Sequence, residues 1–307
     1  MAAILLALVA IAIWSSLALL STATLGLPPL FTTGVALAIG GLVGLWRFRD
    51  WRLPLRTFLV GLGGIFGYHA LLFAAFSLAP AIEVNILNYL WPLLIVVLSP
   101  LVLPGLGLSP RHVAGALLGL AGAILVATGG EGGSGGGSIL GLGLAAAAAL
   151  VWALYSLLTK RLPSFPTGAV GGFCLASGLL SLGLFALTGA VHASGHSVVG
   201  LAGAPAFQLP RPTTAQWLAL AALGIGPMGA AFYAWDASLK RGDPRVIGSL
   251  AYLTPLLSTF NLAVFGGRRF TALTAAALIL IIGGAVLGSS GSFGNKKKAA
   301  PGPSPRG

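Results

Sequence analysis

Residues 73–94, FAAFSLAPAIEVNILNYLWPLL, align without a gap on residues 236–257, DASLKRGDPRVIGSLAYLTPLL. The register superposes Leu87 on Leu250, Tyr89 on Tyr252, Leu90 on Leu253 and Pro92 on Pro255. Further along, AGAIL (residues 121–125) meets GGAVL (283–287), and upstream Trp14 meets Trp152 and Ser21 meets Thr159. Each match is short, but all fall in one collinear order. The chain is therefore written twice, with the change of offset taken up by the long connection at residues 192–213.

Composition says where such a chain can live. Of the 307 residues, 57% are apolar and only 7% are charged, whereas soluble domains carry about 25% charged residues. The mean hydropathy is +0.98. Apolar runs of about 20 residues cross a hydrocarbon core of about 30 Å, and ten are read here: 4–24, 28–46, 56–78, 82–103, 111–128, 139–159, 167–190, 214–239, 244–264 and 270–289. The expected fold class is an all-α polytopic membrane protein. The expected organisation is a first five-helix repeat (1–128), a Gly/Ser linker (129–138), a second repeat (139–290) and a basic cytoplasmic tail (291–307).

Five spans per repeat is odd, so the second copy enters the membrane from the other side. Inverted repeats of this kind build transporters with a site near the midplane between the halves. Orientation follows from the basic residues, because basic loops stay cytoplasmic. Arg47, Arg49, Arg52, Arg56, Arg111, Lys160, Arg161, Lys240, Arg241, Arg245, Lys296, Lys297, Lys298 and Arg306 lie on one side, against Arg211, Arg268 and Arg269 on the other. Both termini are expected in the cytoplasm. The first 24 residues lack a basic leader and match the second copy, so they are expected to be retained as a span.

The formal charge of +12 is spread between apolar runs, not gathered into a patch, which argues against a nucleic-acid partner. The lone Cys174 excludes an internal disulfide and reads as a packed thiol. GGEGGSGGGS (129–138) lacks the Lys-Ser/Thr ending of a phosphate loop. His192 and His196 are four apart but flank glycine in a loop, and no metal site is expected. No zinc-protease or nucleophile-elbow motif occurs; the chain is expected to be neither an enzyme nor a cofactor protein.

Polar groups in hydrocarbon face the protein interior or a water-filled cavity. At 100° per residue, Asn85, Asn88, Tyr89, Pro92 and Ser99 share an arc of about 100°, with Trp91 further round. Similar faces carry Trp14, Ala18 and Ser21; Phe66, His69, Phe73 and Phe76, beside Tyr68; Trp152, Tyr155, Ser156 and Thr159; Phe232, Trp235 and Asp236, flanked by Tyr233; and Ser249, Tyr252 and Thr259. These six spans (first, third, fourth, sixth, eighth and ninth) are expected to line a cavity. The other four carry small residues four apart, Gly40/Gly44, Gly115/Gly119 and Gly284/Gly288, which let helices approach closely; they read as scaffold or a dimer contact. Interhelical packing is the alternative for the aromatics, and interhelical hydrogen bonding for Asn85 and Asn88. His69 is the histidine within a span. Glu83 and Asp236 are candidates for a gate or proton site, with an i,i+4 surface pair to Lys240 the alternative for Asp236.

Ten spans, the inverted repeat and the sequence FAAFSLAPAIEVNILNYLWPLLIVVLSPLVL resemble the drug/metabolite transporter superfamily in its EamA branch, and within it the aromatic amino-acid exporters of bacterial inner membranes. The resemblance covers nearly the whole chain. It implies a central cavity open alternately to each side, with bending of the fourth and ninth spans at Pro92 and Pro255. The acidic residue that often follows the fourth span is absent from LVLPGLGLSPR. Aromatic side chains offer stacking surfaces, and a cavity poor in fixed charge suits a zwitterion. Tyr68, His69, Asn85, Asn88, Tyr89, Trp91 and Trp152 are the first candidates for contact with a small-molecule substrate. Tyr155, Tyr233, Trp235 and Tyr252 follow. A drug or other metabolite substrate is the rival within transport, and a channel or a non-transporting membrane protein outside it.

Overall fold

The computed structural model describes residues 1–128, 138–193, 209–266 and 272–293. Most of the 129–138 linker, His196, Arg268, Arg269 and the basic residues of the tail lie outside the described residues, as does the side chain of His192. Within the described residues the structure is helical and has no strand. The helices are α1 (Ala2–Trp14), α2 (Leu17–Thr22), α3 (Pro29–Val43), α4 (Leu55–Leu78), α5 (Ala81–Asn88), α6 (Leu90–Val102) and α7 (Pro110–Thr128). After the linker come α8 (Ile139–Arg161), α9 (Ala169–Ala193), α10 (Thr214–Ile225), α11 (Ala231–Arg241), α12 (Pro244–Ala251), α13 (Leu253–Gly266) and α14 (Ala272–Phe293).

Among the described residues, six stretches are long and apolar enough to cross a membrane: Ala2–Thr22, Leu55–Leu78, Glu83–Val102, Ile139–Arg161, Ala169–Ala190 and Thr214–Arg241. Shorter apolar helices lie at Pro110–Leu125 and Ala275–Gly288. With its outward-facing leucines, isoleucines and valines, the chain is a multi-pass membrane protein. The second expected span is shorter than its apolar run. It ends at Val43, and a 3₁₀ helix at Leu45–Trp51 turns away by 87°.

Local chemistry explains the breaks. Proline lacks the N–H that would bond the carbonyl four residues earlier. Pro92 and Pro255 each follow a helix end by a turn, and the breaks fall at Tyr89 (φ −67°, ψ 0°) and Tyr252 (φ −65°, ψ −11°). In the eighth expected span, Gly226–Ala230 (GPMGA) forms a π-helical turn between α10 and α11. The Trp14 indole N–H donates to its Pro227 carbonyl at 3.0 Å, supplying a partner where the helix ladder is irregular.

The most extensive pairings are α7 with α14, α3 with α9, α4 with α8 and α1 with α11. Glycine permits the closest of them. A Cβ at Gly115 would sit 2.5 Å from the Gly284 carbonyl oxygen and the Gly288 nitrogen, and one at Gly178 2.5 Å from the Ala38 nitrogen. These contacts are intramolecular, so the small-residue pairs of α7 and α14 serve the bundle itself. Cys174 is buried with no disulfide.

Candidate functional site

Between the helices lies a cavity of about 620 Å³. The α4 helix presents Tyr68, His69, Leu72, Phe73 and Phe76; the α5–α6 break presents Asn85, Asn88, Tyr89, Trp91 and Pro92. Trp14, Trp152 and Phe232 come from α1, α8 and α11, and Tyr252, Thr254, Pro255 and Ser258 from the second broken pair. Among the described residues no aspartate, glutamate, lysine or arginine lines it.

One end is closed by stacked rings. Trp14 lies 6.3 Å from Trp91, 5.9 Å from Trp152, 6.0 Å from Phe232 and 5.2 Å from Trp235 between centroids. Tyr68 packs 5.1 Å from Trp152. Edge-on and tilted contacts of this kind contribute about 0.5–1.5 kcal/mol per pair beyond buried area, so the floor is stiff. The opposite end runs to the exposed α2–α3 turn, where Thr24, Leu25, Gly26 and Leu27 border the cavity. Gly26 has φ +86°, a conformation that favours glycine.

Below the floor the helix ends are tied by polar contacts. The Lys240 ammonium pairs with Asp236 at 2.7 Å, donates to the Phe165 carbonyl at 3.0 Å and sits 3.6 Å from the Phe165 ring centre. Thr167 donates to the same carboxylate at 2.7 Å. Lys160 donates to the Leu239 and Gly242 carbonyls at 2.8 and 2.6 Å, capping the end of α11. Arg245 pairs with Asp243 at 2.5 Å and donates to the Gly107 carbonyl. The Asp236–Lys240 pair is thus buried on the carboxylate side, not a solvated surface pair: Asp236 is 2% exposed.

Polar atoms inside the cavity are few and specific. The Asn88 amide NH₂ donates to the Tyr68 hydroxyl at 3.2 Å, while its Oδ1 is buried and has no protein partner. His69 Nδ1 lies 2.7 Å from the Ile65 carbonyl. A carbonyl only accepts, so Nδ1 carries the proton and Nε2 of the neutral ring is left as an acceptor. Thr32 and Thr254 hydroxyls are also buried without a protein partner. Leaving such groups unmatched costs about 1–3 kcal/mol each; they are closed to solvent here, so a ligand reaches them when the lining shifts.

The sequence-derived candidates divide into two sets. Tyr68, His69, Asn85, Asn88, Tyr89, Trp91, Trp152 and Tyr252 border the cavity, together with Pro92 and Pro255. Tyr155, Tyr233 and Trp235 do not. Tyr155 lies on Gly64 of α4, Tyr233 donates to the Gly40 carbonyl at 3.2 Å, and the Trp235 indole donates to Ser156 at 3.1 Å beneath the floor. Glu83, in the first turn of α5, and Asp236 also lie off the lining. The expected scaffold role of the second span needs correcting, because α3 contributes Pro29, Thr32 and Thr33. Their signal in the sequence was the polar pair at the start of an otherwise apolar helix.

Residues 1–128 and 139–290 match the profile of the EamA-like transporter family. The chain belongs to that family. The EamA protein is 40% identical over 294 residues to a protein of Ancylobacter novellus named aromatic amino acid exporter YddG, covering 93% of this chain and 96% of that one. A Salmonella typhimurium protein of the same name is 30% identical over 275 residues, covering 84% and 86%. A solved crystal structure, 39% identical, superposes with a TM-score of 0.83 over 97% of the EamA chain and 99% of its own. Family membership makes the chain a transporter, not an enzyme, and the cavity its candidate site.

Proposed function

We propose that this protein exports aromatic and other neutral amino acids, or closely related metabolites, across the bacterial cytoplasmic membrane by alternating access. The observation that carries the substrate class is the lining: a wall of indole and phenyl rings, a few unmatched polar atoms and, among the described residues, no fixed charge. A net-neutral zwitterion with a flat apolar side chain satisfies all three. Its ammonium donates to Asn88 Oδ1 and His69 Nε2, both acceptors. Its carboxylate accepts from the Thr32 and Thr254 hydroxyls, and its ring stacks among Trp14, Trp91, Trp152 and Phe232. Tyr68 holds the Asn88 amide so that Oδ1 is the free end. The two YddG relatives, named as aromatic amino acid exporters, support the same reading.

In this reading ten spans form two inverted five-helix repeats, 1–128 and 139–290, joined by the 129–138 linker and followed by a basic tail, with both termini cytoplasmic. The packing supports it. Under an exchange of the two copies, α4 on α8 becomes α11 on α1, while α3/α9 and α7/α14 each pair a helix with its counterpart. The ring floor and the Asp236–Lys240 latch then close the cytoplasmic side, and the cavity faces outward. Pro92 and Pro255 are the hinges, Asp236 belongs to the cytoplasmic gate, and Glu83 stands at the mouth of the fourth span.

Purified protein in liposomes with labelled phenylalanine tests the proposal. Saturable flux, competed by tryptophan and lowered at least about ten-fold in Asn88→Leu, is expected. Linear flux without competition points to a pore and overturns it. The same assay with and without a pH gradient separates facilitated diffusion from proton antiport.

A further inference from the structure

The segment between α3 and α4 does not serve the cavity, yet it is built. Leu45–Trp51 (LWRFRDW) leaves α3 at 87°; with α3 as the second span of the reading proposed above, this short helix runs along the membrane surface. Three large apolar side chains stand out from it: Leu45 is 49% exposed, Trp46 79% and Phe48 53%. Arg47, Arg49, Arg52 and Arg56 are exposed among them, against one acid, Asp50. The segment is kinked at Arg47 (φ −109°, ψ 25°), whose guanidinium pairs with Asp50 at 2.8 Å and lies 5.3 Å from the Trp46 ring centre. Arg49, Arg52 and Arg56 form no ion pair with an acid among the described residues.

The segment is also pinned at a fixed height. The Trp51 indole donates to the Gly168 carbonyl at 3.0 Å, and its ring lies on α9, where a Cβ at Gly172 would sit 3.1 Å from Trp51 Cγ. The need for basic residues on one side of the membrane accounts for the arginines. It does not account for an outward Trp46 and Phe48 beside them, nor for a tryptophan that clamps the turn. Exposed aromatics on a surface-parallel helix enter the headgroup boundary, which brings the neighbouring guanidinium groups level with lipid phosphates. Guanidinium binds phosphate through paired N–H donors.

From this we infer a binding site for anionic phospholipid headgroups, formed by Trp46, Phe48, Arg49, Arg52 and Arg56. It goes beyond export and is independent of the substrate. On the orientation proposed above it faces the cytoplasmic leaflet, whose anionic surface attracts basic residues beside it.

The test uses the full chain in nanodiscs of phosphatidylglycerol mixed with phosphatidylcholine. After mild extraction, mass spectrometry of the intact protein should show retained phosphatidylglycerol, lowered about five-fold or more in R49Q/R52Q/R56Q. The charge-keeping R49K/R52K/R56K variant should fall between, because lysine lacks the paired donors. Independently of any arginine change, the fluorescence lost between wild type and W46F should be quenched more by brominated phosphatidylglycerol than by brominated phosphatidylcholine. Free phosphate should displace neither signal. Equal retention by wild type and the glutamine variant, or equal quenching by the two lipids, overturns the site. If the glutamine variant does not fold, the lysine variant and the quenching decide. A failure of amino-acid flux would leave these outcomes unchanged.

Discussion

Asn88-Tyr89-Leu90-Trp91-Pro92 and Ala251-Tyr252-Leu253-Thr254-Pro255 hold matching places in the two copies, and both helices break at the tyrosine. The backbone outcome is the same because proline removes the same hydrogen bond in each. The side-chain outcome differs. Tyr89 is half-buried and faces the cavity. Tyr252 is fully buried, its ring on Gly119, and its hydroxyl accepts the Leu93 N–H from the other copy at 3.1 Å. Trp91 builds the ring floor, where its counterpart Thr254 offers a single hydroxyl. Asn85 borders the cavity; its counterpart Gly248 lets α12 close on α6, with a Cβ there 3.1 Å from the Pro92 carbonyl and Ile95 Cγ2. Duplication kept the break but not its surroundings; on the reading proposed above, the α5–α6 break supplies more of the recognising groups and the α12–α13 break more of the holding contacts.

The sharpest break of this asymmetry is Trp91→Ala set against Thr254→Ala. Removing the buried indole should cost about 3–5 kcal/mol and at least about ten-fold in flux, because the floor opens. Thr254→Ala should leave stability within about 0.5 kcal/mol and show in KM. Equal losses would mean that the copies share the site evenly. Thermal unfolding in detergent and liposome flux read both.

Gly248→Leu against Asn85→Leu comes next. The first drives a side chain into α6 and should cost about 1–3 kcal/mol by overpacking, seen as a lower melting temperature. Asn85→Leu should melt as wild type and lose substrate affinity instead.

The smallest contrast is Tyr252→Phe against Tyr89→Phe. Losing the hydroxyl that accepts from Leu93 should cost about 1 kcal/mol, while Tyr89→Phe should change stability by less than about 0.5 kcal/mol. If Tyr89→Phe is the more destabilising, the roles assigned to the two tyrosines are reversed.

Much of the lining was legible from helical periodicity, since polar and aromatic residues in an apolar helix must turn away from lipid. Trp14, His69, Asn88, Trp91 and Trp152 were found this way. Tyr155, Tyr233 and Trp235 lie on similar arcs, yet a glycine of the facing helix receives Tyr155, a carbonyl Tyr233 and a serine Trp235. Periodicity gives a direction around an axis, not the identity of the neighbour. Thr32 and Thr33 were passed over because the rest of α3 is apolar. The turn after Gly44 was hidden because LWRF continues the apolar run.

The sequence by itself determined a helical membrane protein and the places where proline breaks its helices. Those follow from backbone hydrogen bonding and transfer out of water, which depend on composition and spacing along the chain. Only the tertiary structure decided that the Tyr252 hydroxyl is tied to the Leu93 N–H, that Asp236 is buried against Lys240 and Thr167, and that LWRFRDW turns away from α3. Each depends on what a neighbouring helix places opposite a side chain, and that distance is set by glycines far away in sequence.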